Sequence, residues 1–308
     1  MRKNKAQESS LGVIYESSTA SKIFDFCNAV FMILFCITIL LPFWDLIVKS
    51  FSRQQDISYM SLNLFPKVWD LSAYKYCVTD EGIVPAFIMS VIRTVVGTVF
   101  HLVVTSMAAY TMTRDGMPFI KVITTFLLIP MFIGAGLIPT FLNMKSLGLL
   151  DNFWVYILPS GFSIYNCIII RNYFFSIDKG MEESASMDGA SYFRIFGSII
   201  IPLSKPVLAT VALWQIVGHW NAWFDNMIYN RNSNHLMTLQ YLLRRMLEKA
   251  TRTSETAYAM ELTGAFSDMS SEAVKAAVTV IVVLPIIIVY PFVQKYFVKG
   301  IMMGAVKG

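Results

Sequence analysis

Long apolar segments alternate with short polar segments along this chain of 308 residues. A helix needs roughly 20 mostly apolar residues to cross about 30 Å of hydrocarbon, and several runs reach that length. The first run, Phe24 to Trp44, is longer than the apolar part of a signal peptide and has no small-residue cleavage site after it, so we predict a retained span. The pattern predicts six spans, at about 24–48, 84–110, 119–142, 154–175, 206–229 and 274–297.

Composition agrees with an all-α membrane protein and excludes several other classes. Hydrophobic residues make up 56% of the chain and charged residues 15%, which is too apolar for an ordinary soluble domain. The net charge of +5 is spread along the chain, and no basic cluster interleaves with aromatic residues, so nucleic acid is not an expected partner. The four cysteines form no C-x-x-C pair or disulfide framework, and we expect them to be packing residues.

Charges in the short loops predict the orientation. Cytoplasmic loops of membrane proteins are enriched in Lys and Arg. The loop after the second span holds Arg114 and Lys121, whereas the next loop holds Lys145 alone. We therefore predict that both termini are cytoplasmic, with an N-terminal tail over 1–21, a six-helix domain over 22–300 and a C-terminal tail over 301–308.

A polar stretch between the fourth and fifth spans predicts two short helices. Asp178 is a suitable N-cap, and acidic Glu182 lies early in the first helix, where negative charge suits the helix dipole. Gly189 stops that helix and Ser191 caps the next one. We expect Pro202 to break the second helix, so that the pair lies across the membrane surface.

The first of these helices has the composition of a docking surface. Ser184, Ala185 and Ser186 are small and allow another backbone to approach, while Glu183 supplies a charge for a basic partner. An ordinary amphipathic connector at the interface explains the same residues.

The spacing within this stretch resembles a known signature. Glu183-Ser184-Ala185, Gly189 and Ile199 to Pro202 match the pattern EAA, three residues, Gly, nine residues, then I-x-L-P, with Ser184 in place of Ala and Ile201 in place of Leu. The chain therefore resembles the inner-membrane permeases of binding-protein-dependent ABC importers.

Other segments resemble the carbohydrate branch of that family. They are 188–190, 218–221 and 304–308, and they point to the smaller, six-span maltose permease subunit. The segments 92–97, 136–139 and 147–149 look closest to a subgroup that serves complex oligosaccharides.

This resemblance implies a fold, a location and a set of partners. The fold is the type I ABC importer permease, with six transmembrane helices and a cytoplasmic coupling helix, in the inner (cytoplasmic) membrane. The implied partners are a second homologous permease in a heterodimer, two copies of a cytoplasmic ATPase, an extracytoplasmic sugar-binding protein, membrane lipid and an oligosaccharide. The implied ATPase-coupling residues are Glu182, Glu183, Ser184, Ala185, Asp188, Gly189 and Pro202 within the loop 178–202.

The C-terminal residues Lys307 and Gly308 resemble the family tail that reaches the ATPases, although a frayed end is the alternative. No G-x-x-x-x-G-K-[ST] occurs, so ATP and Mg are expected on the partner ATPase, with no cofactor bound by this chain. Neither a metal-ligand cluster nor a G-x-S-x-G elbow is present, so we predict a transport component and not an enzyme.

Polar and aromatic residues within spans are candidates for the substrate pathway, because polar groups in hydrocarbon are costly and usually face the bundle interior. Aromatic rings stack on sugar rings, and amides and carboxylates bind hydroxyl groups. An interfacial aromatic belt with interhelical hydrogen bonds is the alternative. The candidates are Arg93, Gln215, His219, Trp220, Asn221, Trp223 and Asp225.

Arg93 carries a charge near the middle of the second span and needs a partner, since an unpaired charge there costs at least about 2.5 kcal/mol. Two hypotheses explain it. Arg93 attracts acidic sugars such as uronates, or it forms a structural pair with a carboxylate such as Asp225 or one on the partner subunit.

The outer loop from about Arg231 to Ser271 is too long for a plain connector and contains a helix-forming stretch with Arg244 and Arg245. We expect it to dock the sugar-binding protein, with a solvated charged face as the alternative.

Two other function classes compete with the importer subunit. A self-contained channel or secondary transporter would need its own gate or ion site, but the spans contain no repeated Arg pattern or acidic cluster. An intramembrane enzyme would rely on His101 or His219, yet single membrane histidines are more often packing residues.

Overall fold

The computed structural model describes residues 19–57, 62–79, 82–114, 116–248 and 272–305, and the regular elements within these ranges are helices. The α-helices are α1 (Thr19–Ser50), α2 (Ser72–Thr79), α3 (Ile83–Thr111), α4 (Ile120–Phe132), α5 (Leu137–Ser146), α6 (Ile164–Phe175), α7 (Lys179–Met187), α8 (Tyr192–Ile195), α9 (Ile201–Leu203), α10 (Lys205–Asn221), α11 (Phe224–Tyr229), α12 (239–248) and α13 (Glu272–Ala305).

Three of the six predicted spans are single helices, because α1, α3 and α13 each contain one of them whole. Within the described residues, the segments Ser21–Ser50 and Ile83–Thr111 are long and apolar enough to cross a membrane, with mean hydropathies of 2.4 and 2.0. Two further spans are available if each of two bent helix pairs counts as one, so the total of six spans stays a prediction.

The predicted span 119–142 is corrected to two helices. α4 and α5 meet at an angle of 117° across a break of four residues. The break contains Gly134 and Gly136, and glycine is a poor helix former. The chain leaves α4 in an extended conformation at Ile133, which ends the helical hydrogen bonding.

The predicted span 154–175 is helical only in its second half. A 3₁₀ turn covers Phe153–Tyr156, and α6 begins after Ser163, whose side chain accepts a hydrogen bond from the backbone N–H of Asn166. Pro159 lies between them and disfavours a helical residue before it.

The predicted span 206–229 is also divided. α10 ends at Asn221 and α11 starts at Phe224, so Ala222 and Trp223 form a break between two helices. Ala222 adopts an extended conformation, and its carbonyl oxygen is bonded by a side chain of α3 instead of by the next turn of helix. Tertiary contact therefore stabilises the break.

α3 is the central helix of the molecule. It packs against both α10 and α6, while α13 packs along α1, α2 and α10. One buried cluster joins α3, α6, α8 and α10 at the end where α7 lies, and its residues include Tyr110, Ile170 and Val211. A second cluster joins α2, α10, α12 and α13 and includes Trp220, Leu239 and Val278.

Two apolar elements have little of their surface covered by this chain. None of the most apolar 18-residue window of α1 is buried, and α4 has no buried residues. Apolar residues such as Phe31 and Phe132, exposed by 64% and 79%, are expected on surfaces that meet lipid or another membrane subunit.

Candidate functional site

Side-chain caps set the ends of the two short helices in the loop 178–202. The Asp178 Oδ1 atom accepts a hydrogen bond from the backbone N–H of Gly180 at 2.9 Å. The Ser191 Oγ atom accepts one from the backbone N–H of Arg194 at 3.4 Å. Both caps are as the sequence predicts, and they satisfy backbone donors that have no partner within the helix.

Gly189 ends α7 through backbone geometry. Its φ is +80°, in the left-handed region that glycine adopts without the penalty of a Cβ atom. The backbone N–H of Gly189 donates to the carbonyl of Ser186, and that of Ala190 donates to the carbonyl of Ala185, each at 3.0 Å. These two bonds are the Schellman pattern, which makes a rigid turn between α7 and α8.

The predicted coupling residues that lie on α7 divide between two faces of this helix. Ala185 is half-buried against the core, and the Glu182 side chain is only 16% exposed. Met187 is 89% exposed and lies on the outward face. The remaining predicted coupling residues are also exposed: Glu183, Ser184, Asp188, Gly189 and Pro202.

Arg114 attaches α7 to the end of α3. Its Nη1 atom lies 2.5 Å from the Glu182 Oε2 atom, and its guanidinium lies 4.2 Å from the centre of the Tyr110 ring. Burial lowers the pKa of Arg114, but the hydrogen bond and charge of Glu182, together with Tyr110 and Tyr192, leave that pKa raised. Tyr110 in turn packs against Phe196 at 5.1 Å between ring centres. The sequence identified Arg114 only as an orientation signal, because its partner lies 68 positions away.

The bend after α8 is two residues later than predicted. α8 continues through a π-helical turn, Phe196–Ile200, and through α9, so Pro202 lies inside the helix near the start of α9. The segments Tyr192–Leu203 and Lys205–Asn221 then meet at 81° around Ser204. The π-helical turn lies directly before Pro202, where the proline removes one hydrogen bond of the regular helical ladder, and only Leu203 follows before the bend.

Arg93 forms the structural pair that was one of its two hypotheses. Its guanidinium, 3% exposed, contacts the Asp225 carboxylate through two nitrogens and donates to the carbonyl of Ala222 at 3.2 Å. It also lies 4.3 Å from the centre of the Tyr156 ring, whose hydroxyl donates to the carbonyl of Leu236. Nothing in the sequence marked Tyr156, because its role depends on distant chain segments.

His219 and Trp220 are buried between helices. The His219 ring lies directly on Gly97, where a Cβ atom would be 2.4 Å from the His219 Nε2 atom. Within the described ranges, that Nε2 atom has no hydrogen-bond partner. The Trp220 indole donates to the carbonyl of Val282 at 2.9 Å, while Gln215 is half-buried. His219 and Trp220 thus join α10 to α3 and α13.

We predict that Gly97→Ala separates α3 from α10 and lowers the stability of the folded protein by about 1–3 kcal/mol, as overpacking does. The reason is the overlap of the new Cβ atom with the His219 ring. The measurement is thermal unfolding of the purified protein in detergent. Gly218→Ala is the matched control, because a Cβ atom there meets nothing within 4 Å. Equal melting of the Gly97 variant and the unmodified protein would contradict the prediction.

The remaining candidates lie where α12 contacts the break after α10. The Gln240 side chain donates to the Asn221 Oδ1 atom at 2.9 Å. The Arg244 guanidinium stacks 3.8 Å from the centre of the Trp223 ring, and Arg245 is half-buried. The predicted helix in this loop is thus confirmed over 239–248, and it is attached to the candidate pathway residues.

The structure also bears on the predictions about His101, a metal site and the C-terminal tail. His101 is buried, with Nδ1 bonded to the carbonyl of Ser160 at 2.7 Å and Nε2 to the Asn166 amide at 2.9 Å. The described part of the chain contains no group of three His, Cys, Asp or Glu residues that could hold a metal ion. The tail residues Lys307 and Gly308 lie outside the described residues, as does 249–271 of the predicted docking loop.

Residues 118–303 match a family model, which is described as the inner membrane component of binding-protein-dependent transport systems. That match covers more than half of the chain. The chain belongs to this family. As a member, it is a membrane permease subunit of an ABC importer, and it is a transport component and not an enzyme.

Two curated relatives in the family match almost the whole chain. Protein LplC of Bacillus subtilis (strain 168) is 37% identical over 292 residues, which are 95% of this chain and 97% of the relative. The polygalacturonan/rhamnogalacturonan transport system permease protein YtcP of the same organism is 34% identical over 288 residues, 94% of this chain and 99% of the relative.

A solved structure has the same architecture. A chain in the crystal structure of a bacterial ABC transporter involved in the import of the acidic polysaccharide alginate is 34% identical, with a TM-score of 0.81. The match covers 92% of this chain and 99% of that chain. The type I importer permease fold expected from the sequence is therefore the fold of this protein.

Proposed function

We propose that this protein forms half of the translocation pathway of an ATP-driven oligosaccharide importer and couples to a separate ATPase through the loop 178–202. The observation that carries the proposal is the exposed face of α7, which presents Glu183 and Met187 beside the rigid turn at Gly189. A surface loop held by helix caps and a rigid turn can be moved by a partner as a unit, and it then moves the attached helices.

The proposed assembly contains a second homologous permease, two copies of the ATPase and an extracytoplasmic sugar-binding protein. ATP and Mg belong to the ATPase, because this chain lacks the phosphate-binding loop that would hold them. Both termini are cytoplasmic in this proposal, with the domain limits 1–21, 22–300 and 301–308. Lys307 and Gly308 then contact the ATPase, and Arg244 and Arg245 dock the binding protein.

We propose a carboxylate-bearing oligosaccharide as the cargo. Two similar proteins are named for polygalacturonan and rhamnogalacturonan and for the acidic polysaccharide alginate. Arg93 is not the group that would attract such a sugar, because Asp225 neutralises it and only 3% of its side chain is exposed. The substrate would instead contact half-exposed groups such as Trp223, at the break after α10, and Gln215, within α10.

The test of the assembly is copurification through a tag on this chain. We expect the ATPase and the second permease to copurify, and ATP hydrolysis by the purified complex to rise when sugar-loaded binding protein is added. Passive flux of sugar or ions through vesicles that contain this chain alone would favour the competing function, a self-contained channel or secondary transporter, and would contradict the proposal.

The cargo is tested by uptake into vesicles that contain the complete importer. We expect oligogalacturonate to be transported and neutral oligosaccharides of equal length to be transported at least about tenfold more slowly, a discrimination of about 1.4 kcal/mol. Arg93→Gln is expected to reduce uptake of both sugars equally, since Arg93 is a structural residue. Preferential transport of the neutral sugar would contradict the cargo proposal.

A further inference from the structure

The helix α7 has little packing of its own. None of its residues is fully buried, and Ala185 is only half-buried against the neighbouring core. The chain connects α7 to α6 and α8 through the short segments 176–178 and 188–191. The chain joins α7 to α6 and α8 but not to α3, so a displacement of its outer face reaches the central helix α3 directly only through side-chain contacts.

Two adjacent glutamates on α7 differ in their surroundings. Glu182 points toward the membrane helices and forms the ion pair with Arg114, with side-chain exposures of 16% and 27%. Glu183 is exposed, and no described residue forms a salt bridge with it. Because successive residues on a helix are about 100° apart, one of the two glutamates faces inward while the other faces away from the molecule.

Arg114 is itself held firmly at the end of α3. Its guanidinium lies over the Tyr110 ring, and Tyr110 contacts both Phe174 of α6 and Phe196 beside α8. Arg171 of α6 also donates to the carbonyl of Met112, the residue that ends α3. The ion pair therefore connects α7 to a packed junction of α3, α6 and the π-helical turn that follows α8.

We propose that the Arg114–Glu182 ion pair makes α7 move with α3, so that Glu182 positions the coupling loop on the membrane helices while Glu183 is left to face the ATPase. This inference rests on the proposed coupling role of the loop 178–202. It assigns Arg114 and Glu182 as positioning residues, because neither touches the transported sugar or the ATP. A partly buried, stacked pair is suited to this task, since its geometry restricts both side chains.

The experiment compares variants of the complete importer in lipid vesicles, and the measured quantity is sugar transported per ATP hydrolysed. Arg114→Gln and Glu182→Gln are each expected to lower that ratio at least about fivefold, which is the low end of couplings between two sites. The ratio of the double variant is expected to be no lower than that of either single variant, because both changes remove the same contact. The exchange of the two charges, Arg114→Glu with Glu182→Arg, is expected to recover part of the ratio.

Glu183→Gln is the matched comparison, because it neutralises the neighbouring carboxylate. We expect it to weaken retention of the ATPase on the purified complex, whereas Glu182→Gln leaves retention normal. In a double-mutant cycle, the effects of Arg114→Gln and Glu183→Gln on the transport ratio are expected to add.

Three results would overturn the inference. The first is an unchanged transport ratio in either single variant of the ion pair. The second is a fall in folded protein with a normal ratio in the surviving complex, which would mean that the pair only stabilises the fold. The third is a charge-exchanged variant whose transport ratio is as low as that of the worse single variant. A separate failure, in which the unmodified protein retains no ATPase, would instead refute the coupling role itself and the inference with it.

Discussion

Asp225→Asn is expected to lower the stability of the folded protein by about 3 kcal/mol, the low end of the cost of breaking a buried ion pair, because a quarter of the Asp225 side chain is exposed. The substitution leaves the Arg93 guanidinium buried without its counter-charge. The carbonyl of Ala222 and the Tyr156 ring remain in place, but neither carries the negative charge that Arg93 requires. The measurements are the yield of monodisperse protein in detergent and its thermal unfolding.

The control for this prediction replaces both charges. Arg93→Met with Asp225→Leu removes the pair as a whole, and such replacements are often neutral because the cost of desolvating two charges disappears as well. We therefore expect the double variant to be more stable than Asp225→Asn alone. The structural role of the pair would be contradicted if Asp225→Asn melted like the unmodified protein, or if the double variant were the less stable of the two.

Glu183→Lys is expected to reduce coupled transport by more than about tenfold while the amount of inserted protein stays normal. Reversal of one charge in an interface with a basic partner replaces attraction with repulsion, which costs several kcal/mol when the groups are desolvated. The side chain is exposed in this chain, so the fold does not depend on it. The measurements are sugar uptake and ATP hydrolysis stimulated by sugar-loaded binding protein in the reconstituted complex.

Gly189→Asp tests the same loop through its backbone. A side chain at a φ of +80° adds about 1 kcal/mol of strain, although nothing within 4 Å obstructs the new Cβ atom. The turn between α7 and α8 is expected to shift, with loss of stimulated ATP hydrolysis. Gly197→Ala is the control. Gly197 lies in the adjacent π-helical turn without a left-handed φ, and a Cβ atom added there meets nothing within 4 Å. Normal stimulation in Glu183→Lys or Gly189→Asp would contradict the coupling role.

Local signals predicted the helix caps and the turn of the loop 178–202 accurately. Asp178 and Ser191 cap the helices that follow them, and Gly189 ends the first one, because capping and left-handed geometry depend on side chains only a few positions apart. The break predicted at Pro202 lies two residues later, because the helix continues to Leu203 and the bend falls at Ser204. Such a bend depends on how α10 packs, which local sequence does not specify.

For the candidate pathway residues, the sequence predicted less and the structure added more. The sequence identified Arg93 as a charge in need of a partner and named Asp225 as a candidate, and the structure joins these two residues. It gave no sign that Tyr156 would cover Arg93, or that Gly97 would accept the His219 ring. These contacts connect residues that are far apart along the chain, and many partners of similar chemistry were available to each.

The class of this protein, its long apolar helices and the capped turn within the loop 178–202 are predictable from sequence alone, because they follow from apolar length and from contacts between near neighbours. The tertiary structure selects which glutamate of that loop faces the membrane helices, through the contact of Glu182 with Arg114. It also decided where the spans break, because the carbonyl of Ala222 is bonded by Arg93 and not by the next turn of helix. The physical reason is that a side chain's partner depends on how distant helices pack.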